Sequence, residues 1–184
     1  STNVVSFDDF LAGRLSFHRA NVVITFDDGY QSWVSKAVMA LKTLNLPATF
    51  FVSSGFVGLP KQREIEFLRS RLQVLKQTTG GLSADDLRRL SAEGFTIGGH
   101  TCNHMNLAQS YDLVELRKEI LVDKQRLETI IGKEIHYFSY PFGLCYNARI
   151  DLAELLKEAG YKGAVTTASG LNRSGANPYL LSRE

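Results

Sequence analysis

Two clusters in this sequence carry residue types that could bind a metal ion and move protons. The first is Asp27-Asp28, set in Thr25-Phe26-Asp27-Asp28-Gly29-Tyr30 and directly preceded by the apolar run Val22-Val23-Ile24. The second is His100 and His104, set in Gly98-Gly99-His100-Thr101-Cys102-Asn103-His104 and preceded by the short run Phe95–Ile97. A dry carboxylate is costly unless it is paired or bound to a metal, so neither aspartate is suited to a core. Alone, Asp-Asp-Gly reads equally well as a turn between two elements. A second cluster with the same layout shifts the reading to chemistry. Two imidazoles and one carboxylate, with a position left to water, form a common catalytic zinc arrangement. Histidines four apart can meet one ion if the second begins a helical turn. Only one aspartate need bind the ion, leaving the other as a general base acting through a water whose pKa the ion lowers. Spacing alone does not say which aspartate does which.

These clusters need a scaffold that brings distant residues together. Strand-like runs alternate with helix-like ones. Val22 to Phe26, Ala48 to Val52, Phe95 to Ile97, Tyr137 to Tyr140 and Ala164 to Thr167 read as strands. Ser32 to Leu44 reads as a helix stopped by Asn45 and Pro47, and Ser83 caps a helix that runs to Glu93 before Gly94. Ser110 to Ile131 is the longest amphipathic helix, with Leu113, Leu116, Ile120, Leu127 and Ile131 at helical spacing, and Ile150 to Ala159 is another. Residues 55–81 read as an excursion with its own helix around Glu64 to Lys76. This alternation predicts an α/β domain with a mainly parallel sheet, open or closed into a barrel. In such a sheet ligands bind at the carboxyl ends of the strands. Asp27-Asp28, His100–His104 and Pro141-Phe142-Gly143 each follow a strand, so three loops are expected on one rim.

With 184 residues, 44% hydrophobic and 22% charged, the chain is sized for one globular domain spanning 1–184. A net charge of +2 without a basic block argues against nucleic acid or an anionic membrane as partner. No apolar stretch reaches the length of a membrane span, and Ser1-Thr2-Asn3 lacks the features of a signal peptide. The two cysteines, Cys102 and Cys145, are expected as free buried thiols, with Cys102 as a metal ligand the lesser reading.

At Thr25–Tyr30, His100–His104 and Tyr140-Pro141-Phe142-Gly143, in that order, the chain resembles the NodB-type polysaccharide deacetylases, the chitin deacetylase-like carbohydrate esterases. Ala48–Val52, Glu93–Gly98 and Ala159-Gly160-Tyr161 add weaker similarity, so the resemblance covers roughly residues 20 to 170. It implies a distorted (β/α) barrel with fewer than eight strands. It also implies one divalent ion, zinc foremost and cobalt or nickel compatible, held by Asp28, His100 and His104. Asp27 would be the general base, Thr101 a brace for the histidine loop, and the Phe142 backbone N–H an oxyanion donor. Tyr30, Tyr140 and Pro141 would line a sugar groove. The implied reaction is metal-dependent removal of acetyl groups from N-acetylglucosamine in a cell-wall or extracellular polysaccharide, with release of acetate at an extracytoplasmic location.

Two departures stand out. Where many members carry an arginine that orients the base, this chain has Ser139, and no histidine occupies the C-terminal position of the family's general acid. His18 and His136 stand in other contexts, and His136 is expected to pack beside a strand. These gaps keep a catalytically idle polysaccharide-binding module open as an alternative, and an O-acetyl esterase acting on a decorated glycan is the other.

Overall fold

The structure is a computed structural model that describes residues 2–75, 79–143 and 150–184. Five parallel strands form its centre: Thr25–Phe26 (β3), Thr49–Val52 (β4), Thr96–Gly99 (β5), Tyr137–Ser139 (β6) and Gly163–Val165 (β7). They lie side by side in sequence order and curl into a half-barrel. Register runs from Phe26 opposite Phe50 to Phe51 opposite Gly98, then Gly99 opposite Phe138 and Ser139 opposite Val165. Every residue of β4 and β6 is buried, which is why these strands read as unbroken apolar runs rather than alternating ones. Beside Phe51, Gly98 lets the strands pack closely: a Cβ there would lie 2.5 Å from the Phe51 ring.

The run from Val22 to Phe26 serves two sheets rather than one strand. Ala20–Val22 (β2) pairs in parallel with Thr2–Val4 (β1), and only Thr25–Phe26 joins the main sheet. Between β1 and β2, the short helix Phe7–Leu11 (α1) sends Phe7 against Phe51 and Tyr137, stacked on the latter at 4.3 Å. The opposite face of the sheet carries the main core, in which Phe50 stacks on Phe26 at 4.9 Å and meets Trp33 at 5.4 Å.

The helices cover the sheet between strands. The segment after β3 enters as a π-helical turn, Trp33–Ala37, before the α-helix Val38–Thr43 (α2), and left-handed Asn45 (φ 50°) ends it. Lys61–Ser70 (α3) starts and stops earlier than the expected Glu64–Lys76, because the chain turns at left-handed Gln73 (φ 57°); Lys76 lies outside the described residues. Ala84–Ala92 (α4) carries the expected cap, with Ser83 and Asp86 exchanging hydrogen bonds. Leu113–Ile131 (α5) is capped by Asp112, whose carboxylate accepts the Val114 and Glu115 amides, so the helix begins after Ser110. Leu152–Glu158 (α6) precedes β7, and past β7 the chain returns to pair Leu181 with Val165.

Candidate active site

The loops after β3, β5 and β6 meet at the carboxyl end of the half-barrel. Asp28 follows β3 by two residues and adopts a positive φ of 85°. His100 follows β5 directly, and Thr101 (φ 59°) and His104 (φ 52°) are also left-handed. Left-handed backbone at non-glycine residues is strained and persists only where the surroundings enforce it. Here the conformations aim three side chains at one point. Asp28 Oδ1 lies 3.3 Å from His100 Nε2 and 3.2 Å from His104 Nε2. Tetrahedral ligands about 2.0–2.1 Å from a zinc ion stand about 3.3 Å from one another, so these separations are those of a ligand set. Among the described residues this is the one group of three such side chains close enough to share an ion.

The other ring nitrogens are already engaged. His100 Nδ1 lies 2.7 Å from the Ser139 carbonyl and His104 Nδ1 lies 3.0 Å from the Arg71 carbonyl. Each carbonyl accepts Nδ1–H and so leaves Nε2 as the atom that faces Asp28, the one that a cation would take once its proton is lost. The donor set therefore fits a divalent cation. Burial opposes charge on Asp28 and on His100, yet their mutual contact prevails. The two imidazoles hold Asp28 well below the usual carboxylate range, while Asp28 and the nearby charge of Asp27 raise the His100 pKa. Oppositely charged partners at this range are expected to stabilise both charged forms.

Asp27 is held apart from this group. Arg183 grips it with two parallel bonds, Nη1 to Oδ1 at 2.8 Å and Nη2 to Oδ2 at 2.7 Å. Ser139 Oγ donates to Oδ2 at 3.1 Å and accepts from Arg183 Nη2 at 3.2 Å. Arg183 is itself anchored through Nε to the Thr166 carbonyl at 2.8 Å. Arg183 thus stands at Asp27 from the segment beyond β7, while Ser139 occupies the position before the Tyr140–Gly143 loop. Sequence reasoning does not single Arg183 out. Its one signal is a cation just beyond Leu181, which extends the edge of the sheet beside β7.

The remaining expected residues divide. Thr101 Oγ1 accepts the Met105 amide at 2.8 Å and so ties down the turn between the histidines. Phe142 is left-handed (φ 61°), 37% exposed, and its ring meets His104 edge-on at 4.8 Å. It borders an open groove of about 350 Å³ shared with Arg71, Gln73, His104, Asn106 and Glu115. Tyr30 packs edge-on against Trp33 and Phe56, at 6.2 and 6.1 Å. Burial, then the charge and hydrogen bond of Asp28, push its phenol pKa up. Tyr140 and Pro141 are corrections. Tyr140 is 1% exposed against Phe138 in the core, and Pro141 is buried, so neither lines a groove. Cys102 is buried with Sγ 3.1 Å from Arg126 Nη1 and stands outside the ligand group; Cys145 lies outside the described residues. His136 precedes β6, at the end of the strand away from the site, with Glu134 at 3.8 Å, and His18 is exposed ahead of β2. No helix among the described residues is long and apolar enough to cross a membrane.

Fold and site together define a curled parallel α/β half-barrel with a candidate mononuclear metal centre at its carboxyl rim. The polysaccharide deacetylase family profile matches residues 15–164, and the chain belongs to that family. Over 158 residues it is 32% identical to a peptidoglycan-N-acetylglucosamine deacetylase of Bacillus cereus, covering 85% of this chain and 61% of that one. It is 24% identical to the poly-beta-1,6-N-acetyl-D-glucosamine N-deacetylase of Escherichia coli K12, over 82% of this chain and 25% of the relative. The solved structure of IcaB from Ammonifex degensii has the same fold, with a TM-score of 0.78 at 24% identity, over 100% of this chain and 76% of that one. The chain spans 50% and 61% of the length of two Bacillus relatives.

Proposed function

We propose that this chain hydrolyses acetyl groups from N-acetylglucosamine residues of a cell-wall or extracellular polysaccharide, releasing acetate, with Asp28, His100 and His104 holding one divalent ion. The observation that carries this reading is Asp27. Metal binding alone does not need a second aspartate, yet this one is aimed by Arg183 and Ser139 beside the ligand group. Both relatives described above bear names of N-acetylglucosamine deacetylases.

A divalent ion held there, with zinc the expected occupant, supplies Lewis-acid polarisation of the acetyl carbonyl and lowers the pKa of water. Asp27 takes a proton from the attacking water as it adds to the carbonyl carbon. The Phe142 backbone N–H serves the developing oxyanion. Collapse breaks the carbon–nitrogen bond, and the departing amine nitrogen takes up a proton. Once protonated, Asp27 could return it. The groove beside His104 offers the amide side chains Gln73 and Asn106 and the Phe142 ring, chemistry suited to hydroxyls and sugar faces. Such polymers lie outside the cytoplasm, so the site of action is extracytoplasmic.

An idle binding module draws support from the absent arginine and the absent C-terminal histidine; the Arg183–Asp27 contact weighs against the first ground alone. The discriminating variant is Asp27→Asn, which should keep the metal and lose acetate release from N-acetylglucosamine oligomers. Turnover equal to that of the unaltered chain would refute the role of Asp27. Release from O-acetylated glycans but not from N-acetylglucosamine oligomers would assign an ester substrate instead.

A further inference from the structure

Helix α5 is the longest helix and would ordinarily serve only to cover the sheet. Its inward face carries two carboxylates one turn apart, Glu119 (9% exposed) and Asp123 (0% exposed). Residues four apart share a helix face, so both point at the same neighbour. That neighbour is the backbone of the histidine loop. Asp123 Oδ2 accepts the His100 amide at 2.8 Å, and Oδ1 accepts the Ser54 amide at 2.8 Å. One buried side chain thereby joins the segments that follow β4 and β5. Glu119 accepts the Asn103 amide through Oε2 at 2.8 Å and Asn103 Nδ2 through Oε1 at 2.6 Å. Its main-chain carbonyl also accepts the Cys102 amide at 3.1 Å. The helix therefore holds residues 100, 102 and 103, all lying between or on the two histidines.

The sheet is shaped to admit this contact. A Cβ on Gly99 would lie 2.9 Å from Asp123 Oδ2 and 2.3 Å from the buried Tyr161 hydroxyl. Only a residue without a side chain lets the carboxylate reach the His100 amide. Apolar packing would be the simpler use of a fully buried helix position, since a buried carboxylate is costly without several donors. Asp123 has two main-chain amide donors, which offset only part of the burial that pushes its pKa up to about 7.

We propose that Glu119 and Asp123 are positioning residues that set the metal-binding geometry of His100 and His104 through the loop backbone. The proposal rests on the ligand reading given above. Without these acceptors, left-handed Thr101 and His104 lose the restraint that keeps both Nε2 atoms within 3.2–3.3 Å of Asp28.

The test is a competitive zinc titration and a cobalt(II) visible spectrum of Asp123→Asn and Glu119→Gln. Lys118→Gln, an exposed change on the same helix, is the control. An amide at either position turns an –NH2 donor toward a main-chain or side-chain donor. Zinc affinity should fall roughly tenfold or more for both variants, as for other groups that orient metal ligands. The cobalt band should shift, and Lys118→Gln should match the unaltered chain. Thermal unfolding of the metal-free proteins separates a general loss of stability from this effect. Should Asp123→Asn not fold, Glu119→Gln decides alone. Folded variants that bind zinc within twofold of the unaltered chain, with the same cobalt spectrum, overturn the proposal. Failure of the ligand reading would show differently, as an unaltered chain that binds neither metal.

Discussion

Replacing Arg183 probes the aim of Asp27 without touching a ligand. Two charge-assisted bonds of 2.7 and 2.8 Å join the pair. The Arg183 and Asp27 side chains are 19% and 27% exposed, so solvent screens the contact only in part. Breaking a fully buried pair costs about 3–5 kcal/mol, and an exposed one costs about 0–1 kcal/mol. A value of about 2–3 kcal/mol suits this intermediate setting. If that energy goes into holding Asp27 on the attacking water, Arg183→Ala should lower kcat/KM about 30- to 150-fold. Arg183→Lys keeps the charge but not the planar fork, so it should recover only part of the loss. The assay is acetate release from N-acetylglucosamine oligomers at saturating zinc, with zinc content measured in parallel. Zinc content should stay at that of the unaltered chain, because no ligand changes. An Arg183→Ala enzyme within twofold of the unaltered kcat/KM would refute the reasoning, and so would a loss traced wholly to missing metal.

The same geometry gives four further expectations. His104→Ala should abolish both zinc binding and acetate release, in contrast to Asp27→Asn; retained zinc at unaltered affinity would remove His104 from the ligand set. Because His100 has a raised pKa, a cation must displace its proton, so zinc affinity should weaken as pH falls, by about tenfold per pH unit for one proton displaced. The metal-free chain carries the opposite sign. The His100 contribution to stability is present below about pH 6.5 and is lost as pH rises through its raised folded value, whereas that of Asp28 is present above about pH 3.9 and lost on acidification. Urea unfolding in chelator should therefore show site-derived stability concentrated between these limits, and His100→Ala should flatten the profile. Finally, Gly99→Ala places a methyl 2.3 Å from the Tyr161 hydroxyl and should destabilise the fold by about 1–3 kcal/mol, read by urea unfolding.

The convergence of Asp28, His100 and His104 was legible in the sequence because each lies just past a strand, and parallel strands deliver their carboxyl-terminal loops to one rim. Arg183 was not, since 156 positions separate it from Asp27 and no local pattern marks a residue that returns along a sheet edge. Tyr140 went wrong for a readable reason. Side chains two apart along a strand share a face, so its partner is Phe138, and both lie in the core. Asp123 left a trace as well. It interrupts the apolar stripe of Leu116, Ile120 and Leu127 where another buried hydrophobe would be expected, and a carboxylate there needs donors. Which donors it finds depends on the approach of α5 to β5, a tertiary fact that helical periodicity does not carry. The split of the Val22–Phe26 run between two sheets was hidden for the same cause, because apolar character names burial without naming the partner strand.

Acetate release by the chelated chain, tracked as zinc is returned in steps, bears most directly on one cation held by Asp28, His100 and His104 beside an unligated Asp27. Activity should be absent in chelator and rise linearly to a break at one zinc per chain. Full activity in chelator, or a break at two zinc ions per chain, would contradict it.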